Sequence, residues 1–157
     1  MKKNRIVSVL LIIAIVISSI LSLTACASKE PVTANDFQKK AEELGYTVYD
    51  VTEQYTGEAH ILKSLAFEKD DIYMQFFEID NIDNAKGVFN TNKINVESIK
   101  NGVATISEVN IGSYSKYTQK IGDKYNIVER VGTTFVYAES NKANAKILDD
   151  FLKDIGY

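Results

Sequence analysis

Histidine and cysteine, two residues that commonly carry out catalysis, are scarce in this chain. His60 is the only histidine and Cys26 is the only cysteine among 157 residues. A histidine-rich metal site is therefore excluded, and a Ser-His-Asp arrangement would have to use His60. No Gly-x-Ser-x-Gly sequence, which presents a serine nucleophile in many hydrolases, occurs in the chain. The sequence predicts no catalytic residue and no enzymatic activity.

Three acidic residues, Glu78, Asp80 and Asp83, are spaced like the oxygen ligands of a calcium loop. An EF-hand loop also requires a glycine at its sixth position and a glutamate at its twelfth, and neither is present here. Negative side chains at the start of a helix interact favourably with the helix dipole. We therefore interpret these residues as a helix N-terminus, and we expect no metal and no cofactor.

Two glycine-containing pairs, Gly122-Asp123 and Gly132-Thr133, predict tight hairpin turns between segments rich in β-branched and aromatic residues. If both loops contain only these two residues, the register of the strands is fixed. The predicted pairs are Ile121 with Lys124, Tyr117 with Val128, Lys116 with Glu129, Val128 with Tyr137, and Arg130 with Phe135. The three segments 113–121, 124–131 and 134–139 then form one β-ribbon. The register assigns each of its residues to one of the two faces of this ribbon.

One face of this ribbon carries small aliphatic side chains and is expected to be a core covered by helices. The other face combines aromatic rings, polar groups and an arginine, which are residue types favoured at binding sites. We predict that Tyr117, Arg130, Phe135 and Tyr137 form an exposed binding face. The alternative is that the aromatic pairs only stabilise the sheet, by about 0.2 to 1 kcal/mol a pair.

The remaining elements follow from hydrophobic periodicity. Helices are expected after Thr33, after Asp80 or Asp83, and over the stripe that ends at Ile155. Seven segments have strand composition: 46–52, 60–67, 72–79, 103–109, 113–121, 124–131 and 134–139. The order predicts an α+β fold, an antiparallel sheet of about six to seven strands with three helices mainly on one face.

The N-terminal residues form a separate pattern. Lys2, Lys3 and Arg5 precede an apolar run that ends in Leu23-Thr24-Ala25-Cys26. This pattern resembles the signal peptide and lipobox of bacterial lipoproteins. The resemblance implies that residues 1–25 are removed and that the Cys26 thiol takes a diacylglycerol, which anchors the protein in the cell membrane. The alternative is an uncleaved membrane helix, since about 17 to 25 residues can span a bilayer.

The resemblance divides the chain into a signal peptide of residues 1–25, a lipidated tether of residues 26–32, and a single domain of residues 33–157. Basic residues before the apolar run keep that end in the cytoplasm, so the domain is expected on the extracytoplasmic side. After Cys26 the chain has 15 basic and 21 acidic residues, a net charge of −6. Such a domain is poorly suited to phosphate backbones, and nucleic acid is not an expected partner.

In size and strand order the domain is similar to small lipoproteins of low-GC Gram-positive bacteria. We expect a membrane-anchored, non-catalytic binding or interaction module of the cell envelope, with another envelope protein as its partner. The first alternative is an accessory lipoprotein that binds a small molecule or an ion in a cleft between the sheet and the helices. A hydrolase of the envelope is a further alternative.

Overall fold

The computed structural model describes residues 29–99 and 102–157, and Cys26 with its lipobox lies outside them. The helices are α1 (Ala34–Glu43), α2 (Ile82–Glu97) and α3 (Ala145–Asp154). The strands are β1 (Tyr49–Asp50), β2 (Ile61–Lys69), β3 (Ile72–Ile79), β4 (Thr105–Ile111), β5 (Tyr114–Ile121), β6 (Lys124–Val131) and β7 (Thr134–Asn141). The predicted α+β class with an antiparallel sheet of about seven strands is confirmed. No helix in these two ranges is long and apolar enough to cross a membrane.

The seven strands form one sheet in the order β1-β2-β3-β7-β6-β5-β4, and every neighbouring pair is antiparallel. Strands β4 to β7 are joined by two-residue turns at Gly112, Gly122 and Gly132, whose φ angles are 59°, 53° and 57°. Glycine adopts this left-handed conformation without steric cost. The register predicted for β5, β6 and β7 is confirmed, including Tyr117 opposite Val128 and Arg130 opposite Phe135.

Helices α1 and α3 cover one face of the sheet. The Phe37 ring of α1 stacks on Phe76 of β3 with the centroids 4.7 Å apart, and it meets the edge of Phe151 of α3 at 6.0 Å. Thr33 begins α1 by accepting a hydrogen bond from the Asp36 amide at 3.1 Å. The apolar residues packed between these two helices and the sheet form the larger part of the core.

Helix α2 covers the other face of the sheet. It begins at the cap Asn81, and its residues Ala85, Phe89 and Val96 are buried against β6, β7 and β5. The expectation that the helices gather mainly on one face therefore holds for α1 and α3 but not for α2. The reason lies in the connection, because α2 links β3 in the middle of the sheet to β4 at its edge and crosses the face that the other two helices leave open.

The segment Lys29–Val32, assigned to the tether from the sequence, lies against one end of the sheet. The Ser113 hydroxyl donates a hydrogen bond to the Lys29 carbonyl at 3.4 Å, and the Lys29 ammonium lies 4.2 Å from the centre of the Tyr114 ring. Val32 packs against the core beneath α1 and α3. The contacts of the domain thus include Lys29, four residues before the boundary that the sequence indicated.

The raised pKa values of two tyrosines in the layer of α1 and α3 predict how the free energy of unfolding changes at alkaline pH. Burial raises the pKa of Tyr125 and of Tyr157 above the ordinary value of 10.0, and the hydrogen bond from Tyr125 to Asp149 raises the former further. The unfolded chain therefore ionises first. We expect the free energy of unfolding to fall above about pH 10, by about 1.4 kcal/mol per pH unit for each tyrosine.

Urea unfolding between about pH 8 and 11 checks this expectation. The variant Tyr125→Phe should lose less stability per pH unit than the native chain, because residue 125 then has no hydroxyl that ionises on unfolding. An unchanged slope in this variant would show that Tyr125 does not contribute to the alkaline transition.

Candidate functional site

The predicted exposed face of the ribbon is covered by α2. Tyr117 and Phe135 have exposures of 0% and Arg130 of 2%, while Tyr137 is half-buried. Phe89 of α2 belongs to the same buried cluster as the two fully buried rings. The prediction that these four residues form an open binding face is therefore wrong, because α2 packs on the rings of Tyr117 and Phe135.

A cleft opens beside α2 on the same face of the sheet. It has a volume of about 580 Å³ and lies over β3, between the flank of α2 and the segment that precedes β2. Its lining residues come from three places, the segment before β2, the sheet and α2: Tyr55, Glu58, His60, Ile61, Gln75, Phe77, Asp83, Asn84, Gly87, Val88, Thr91, Asn92 and Tyr137. Of the predicted binding residues, only Tyr137 reaches it.

Aromatic and aliphatic side chains form much of the cleft surface. Tyr55 meets Phe77 edge to face with the ring centroids 5.3 Å apart, and Phe77 in turn packs on Phe135 at 5.6 Å. Ile61 and Val88 add aliphatic surface on opposite sides. Because Phe77 is held by rings on two sides, the floor of the cleft is rigid and apolar.

A hydrogen-bond network around Gln75 positions the polar groups of the cleft. The Gln75 side-chain amide donates to the Tyr55 hydroxyl at 2.7 Å and to the Ser64 hydroxyl at 3.0 Å. Its carbonyl oxygen accepts from the Tyr73 hydroxyl at 2.9 Å. The network fixes Tyr55, which lies in the 3-10 turn Thr52–Tyr55, against β3.

The charge of the cleft is negative. Its lining includes the carboxylates of Glu58 and Asp83, and it includes no lysine or arginine. His60 is half-buried with its Nδ1 3.7 Å from a Glu58 oxygen. Tyr137 donates a hydrogen bond to Glu139 at 2.8 Å, and burial raises the pKa of its hydroxyl, which stays protonated at neutral pH. Neutral and cationic ligands are therefore favoured over anions.

The acidic residues that were compared with a calcium loop include Asp80 and Asp83, which lie at the start of α2. The side chain of Asn81 caps α2 by accepting from the Asn84 amide at 2.9 Å, and Asp80 accepts from the Asn84 side chain at 2.8 Å. Asp83 lies in the first turn of α2. Among the residues that the structure describes, no three His, Cys, Asp or Glu side chains are grouped as metal ligands.

Most of the cleft could not be identified from the sequence. Gln75 and Phe77 lie two residues apart on one face of β3. This spacing indicates a face that is partly polar and partly apolar, but it does not indicate which element packs against that face. Gly87 is the clearer signal, because a glycine inside a helix usually has a packing or functional reason. A side chain there would meet no atom within 4 Å, so Gly87 leaves the wall of the cleft open.

The sequence matches no protein-family model and no curated protein. Among solved structures, the chain is similar to a GTP binding regulator from Thermotoga maritima, with a TM-score of 0.47 and 11% identity. The alignment covers 79% of this chain and 84% of that one.

Proposed function

We propose that this protein is a non-catalytic binding lipoprotein of the cell envelope, and that the cleft beside α2 takes a small ligand. The observation that carries the proposal is the cleft itself, an apolar cavity of about 580 Å³ with polar groups at defined positions. Ligand sites commonly have volumes of about 300 to 1,000 Å³ and this mixture of lining groups. The small-molecule alternative is thus favoured over an open protein-binding face.

The lining indicates the chemistry of the ligand. Tyr55, Phe77 and Tyr137 offer aromatic surface to an apolar body, while Glu58 attracts positive charge and Asp83 is already paired with Lys86. Aromatic rings and carboxylates together favour an organic cation over an anion, because a cation near a ring face is attracted by the ring quadrupole. We therefore expect a neutral or cationic amphipathic molecule of low molecular mass.

Filling the cleft from α2 tests this proposal. The variant Gly87→Phe places a ring in open space at the cleft wall, and we expect it to weaken binding of neutral and cationic amphipaths by at least about tenfold. Thermal-shift screening finds the ligands and calorimetric titration measures the dissociation constants. The circular dichroism spectrum of the variant should match that of the native chain.

Gly87→Ala is the matched control. It removes the same glycine but adds only a methyl group, so binding should persist while the free energy of unfolding rises by about 0.5 to 1 kcal/mol. If Gly87→Phe binds as tightly as Gly87→Ala, or if no such amphipath gives saturable stabilisation of the native chain, the cleft is not the ligand site.

The membrane anchor is tested separately at Cys26. In a bacterial host, Cys26→Ser should abolish lipid attachment, because the serine hydroxyl cannot take the thioether-linked lipid. Metabolic labelling with a fatty acid measures the modification directly. A native chain that takes up no labelled fatty acid would support the uncleaved helix instead.

A further inference from the structure

Arg130 is a buried cation without a counter-ion in the described part of the chain. Its exposure is 2%, and none of the ion pairs formed by residues 29–99 and 102–157 includes it. The guanidinium donates to the Gly132 carbonyl at 2.9 Å and to the Ser115 hydroxyl at 3.1 Å, while its Nε has no partner. Since a guanidinium has five N–H donors, most of its donors remain available.

This arrangement is costly for a protein that binds nothing there. A buried charge without a partner destabilises a fold by several kcal/mol, and burial lowers the pKa of Arg130. The adjacent residue, Glu129, is also fully buried, but the ammonium of Lys116 lies 3.1 Å from its carboxylate. The two neighbours on β6 thus differ, because only the carboxylate has an opposite charge beside it.

A second cavity surrounds this guanidinium. It has a volume of about 330 Å³ and lies on the flank of α2 towards β4, away from the ligand cleft. Lys86 and Asn90 line it from α2, and Asn110 and Ser115 line it from β4 and β5. No acidic residue is among the residues that line it.

Two residues that line this cavity, Lys86 and Asn110, contact carboxylates that do not line it. Lys86 Nζ lies 3.2 Å from Asp83, and the Asn110 side chain donates to Glu108 at 2.9 Å. Glu108 also accepts from Lys93 at 2.6 Å. The two carboxylates thus bind Lys86, Lys93 and Asn110. Neither of them accepts a hydrogen bond from Arg130.

We propose that this cavity binds a small oxyanion, with the Arg130 guanidinium as its principal donor and Lys86 as a second positive charge. Arginine forms paired, charge-assisted hydrogen bonds with carboxylate and phosphate oxygens. The two cavities on the flanks of α2 then have opposite preferences, since the cleft is negative and this cavity is positive. The oxyanion site does not depend on the proposed function of the cleft.

Titration of the purified full-length protein with inorganic phosphate and with acetate, at constant ionic strength in chloride, tests the proposal. We expect saturable binding of at least one anion and a rise in Tm of about 5 to 11 °C at a hundredfold excess over its Kd. Binding of phosphate alone identifies a phosphoryl ligand, and binding of acetate alone identifies a carboxylate.

Arg130→Met should weaken the binding by at least about tenfold, because it removes charge-assisted hydrogen bonds. Lys86→Met, at a side chain that is half exposed, should weaken it about threefold to tenfold and keeps the test valid if the first variant does not fold. Lys153→Met, on an exposed surface of α3, is the control and should bind as the native chain does. Binding of neither anion beyond the effect of chloride, or equal binding by Lys86→Met and Lys153→Met, would overturn the proposal.

Discussion

Replacing Lys116 with methionine is expected to lower the free energy of unfolding by about 3 to 5 kcal/mol at neutral pH. Glu129 has 0% side-chain exposure, and no hydrogen bond reaches either of its carboxylate oxygens within the described ranges. Lys116 lies 3.1 Å from one of these oxygens, whereas Lys29 lies 3.9 Å from the other. The methionine would leave a buried negative charge with only the more distant ammonium.

Urea unfolding measures the loss, and two further variants separate its cause. Adding Glu129→Gln to Lys116→Met should restore most of the stability, because the buried charge is removed as well. Lys124→Met is the control, since Lys124 and Glu139 form an exposed pair at 3.7 Å and such pairs contribute about 0 to 1 kcal/mol. If Lys116→Met costs no more than Lys124→Met, Lys116 does not compensate the charge of Glu129.

Replacing Gly132 with alanine is expected to lower the free energy of unfolding by about 2 to 4 kcal/mol. The φ angle of Gly132 is +57°, which is unfavourable for an L-residue. A Cβ there would also lie 2.6 Å from Cγ of Pro31, well inside van der Waals contact. The substitution therefore strains the turn and displaces the segment Lys29–Val32 from the end of the sheet.

Gly112→Ala is the matched control for this prediction. Gly112 has a φ angle of +59° in an equivalent turn, and its Cβ would meet no atom within 4 Å. It should cost only the backbone term of about 1 to 2 kcal/mol. Urea unfolding compares the stabilities of the two variants. Trypsin should cleave after Lys29 faster in Gly132→Ala than in Gly112→Ala or in the native chain. Equal losses of stability would mean that Pro31 moves away at no cost.

The β-ribbon was the most predictable part of the fold. Glycine pairs at 122 and 132 leave room for two-residue loops only, and a two-residue loop fixes which residues face one another. The helices were predictable for the same local reasons, because Thr33 is a strong N-cap and the α3 stripe is regular. Local chemistry therefore determines the elements and the pairing of their strands.

The burial of the second face of the ribbon, the one with the aromatic and polar side chains, was not predictable in this way. Ser115, Gln119 and Asn126 are polar but have exposures of 7%, 1% and 2%, so polarity along the strands did not indicate solvent. The apolar stripe of α2 required a partner surface, and the rings of Tyr117 and Phe135 are that partner. The position of α2 also creates both cavities, which is why neither could be inferred before the helix was placed.

The packing of Lys29–Val32 determines how the domain would stand on a bilayer if Cys26 carries the proposed lipid. Three residue steps from Cys26 to Lys29 reach at most about 10 Å. The Gly132 turn would then lie at the level of the lipid headgroups, with the sheet rising from that end. The Ile79 amide donates a hydrogen bond to the Thr133 carbonyl in this turn, and the Asp80 amide donates to the His60 carbonyl. The side of the cleft that contains His60 would therefore belong to the end of the domain nearest the membrane. So short a tether would leave the domain little freedom to tumble above the membrane.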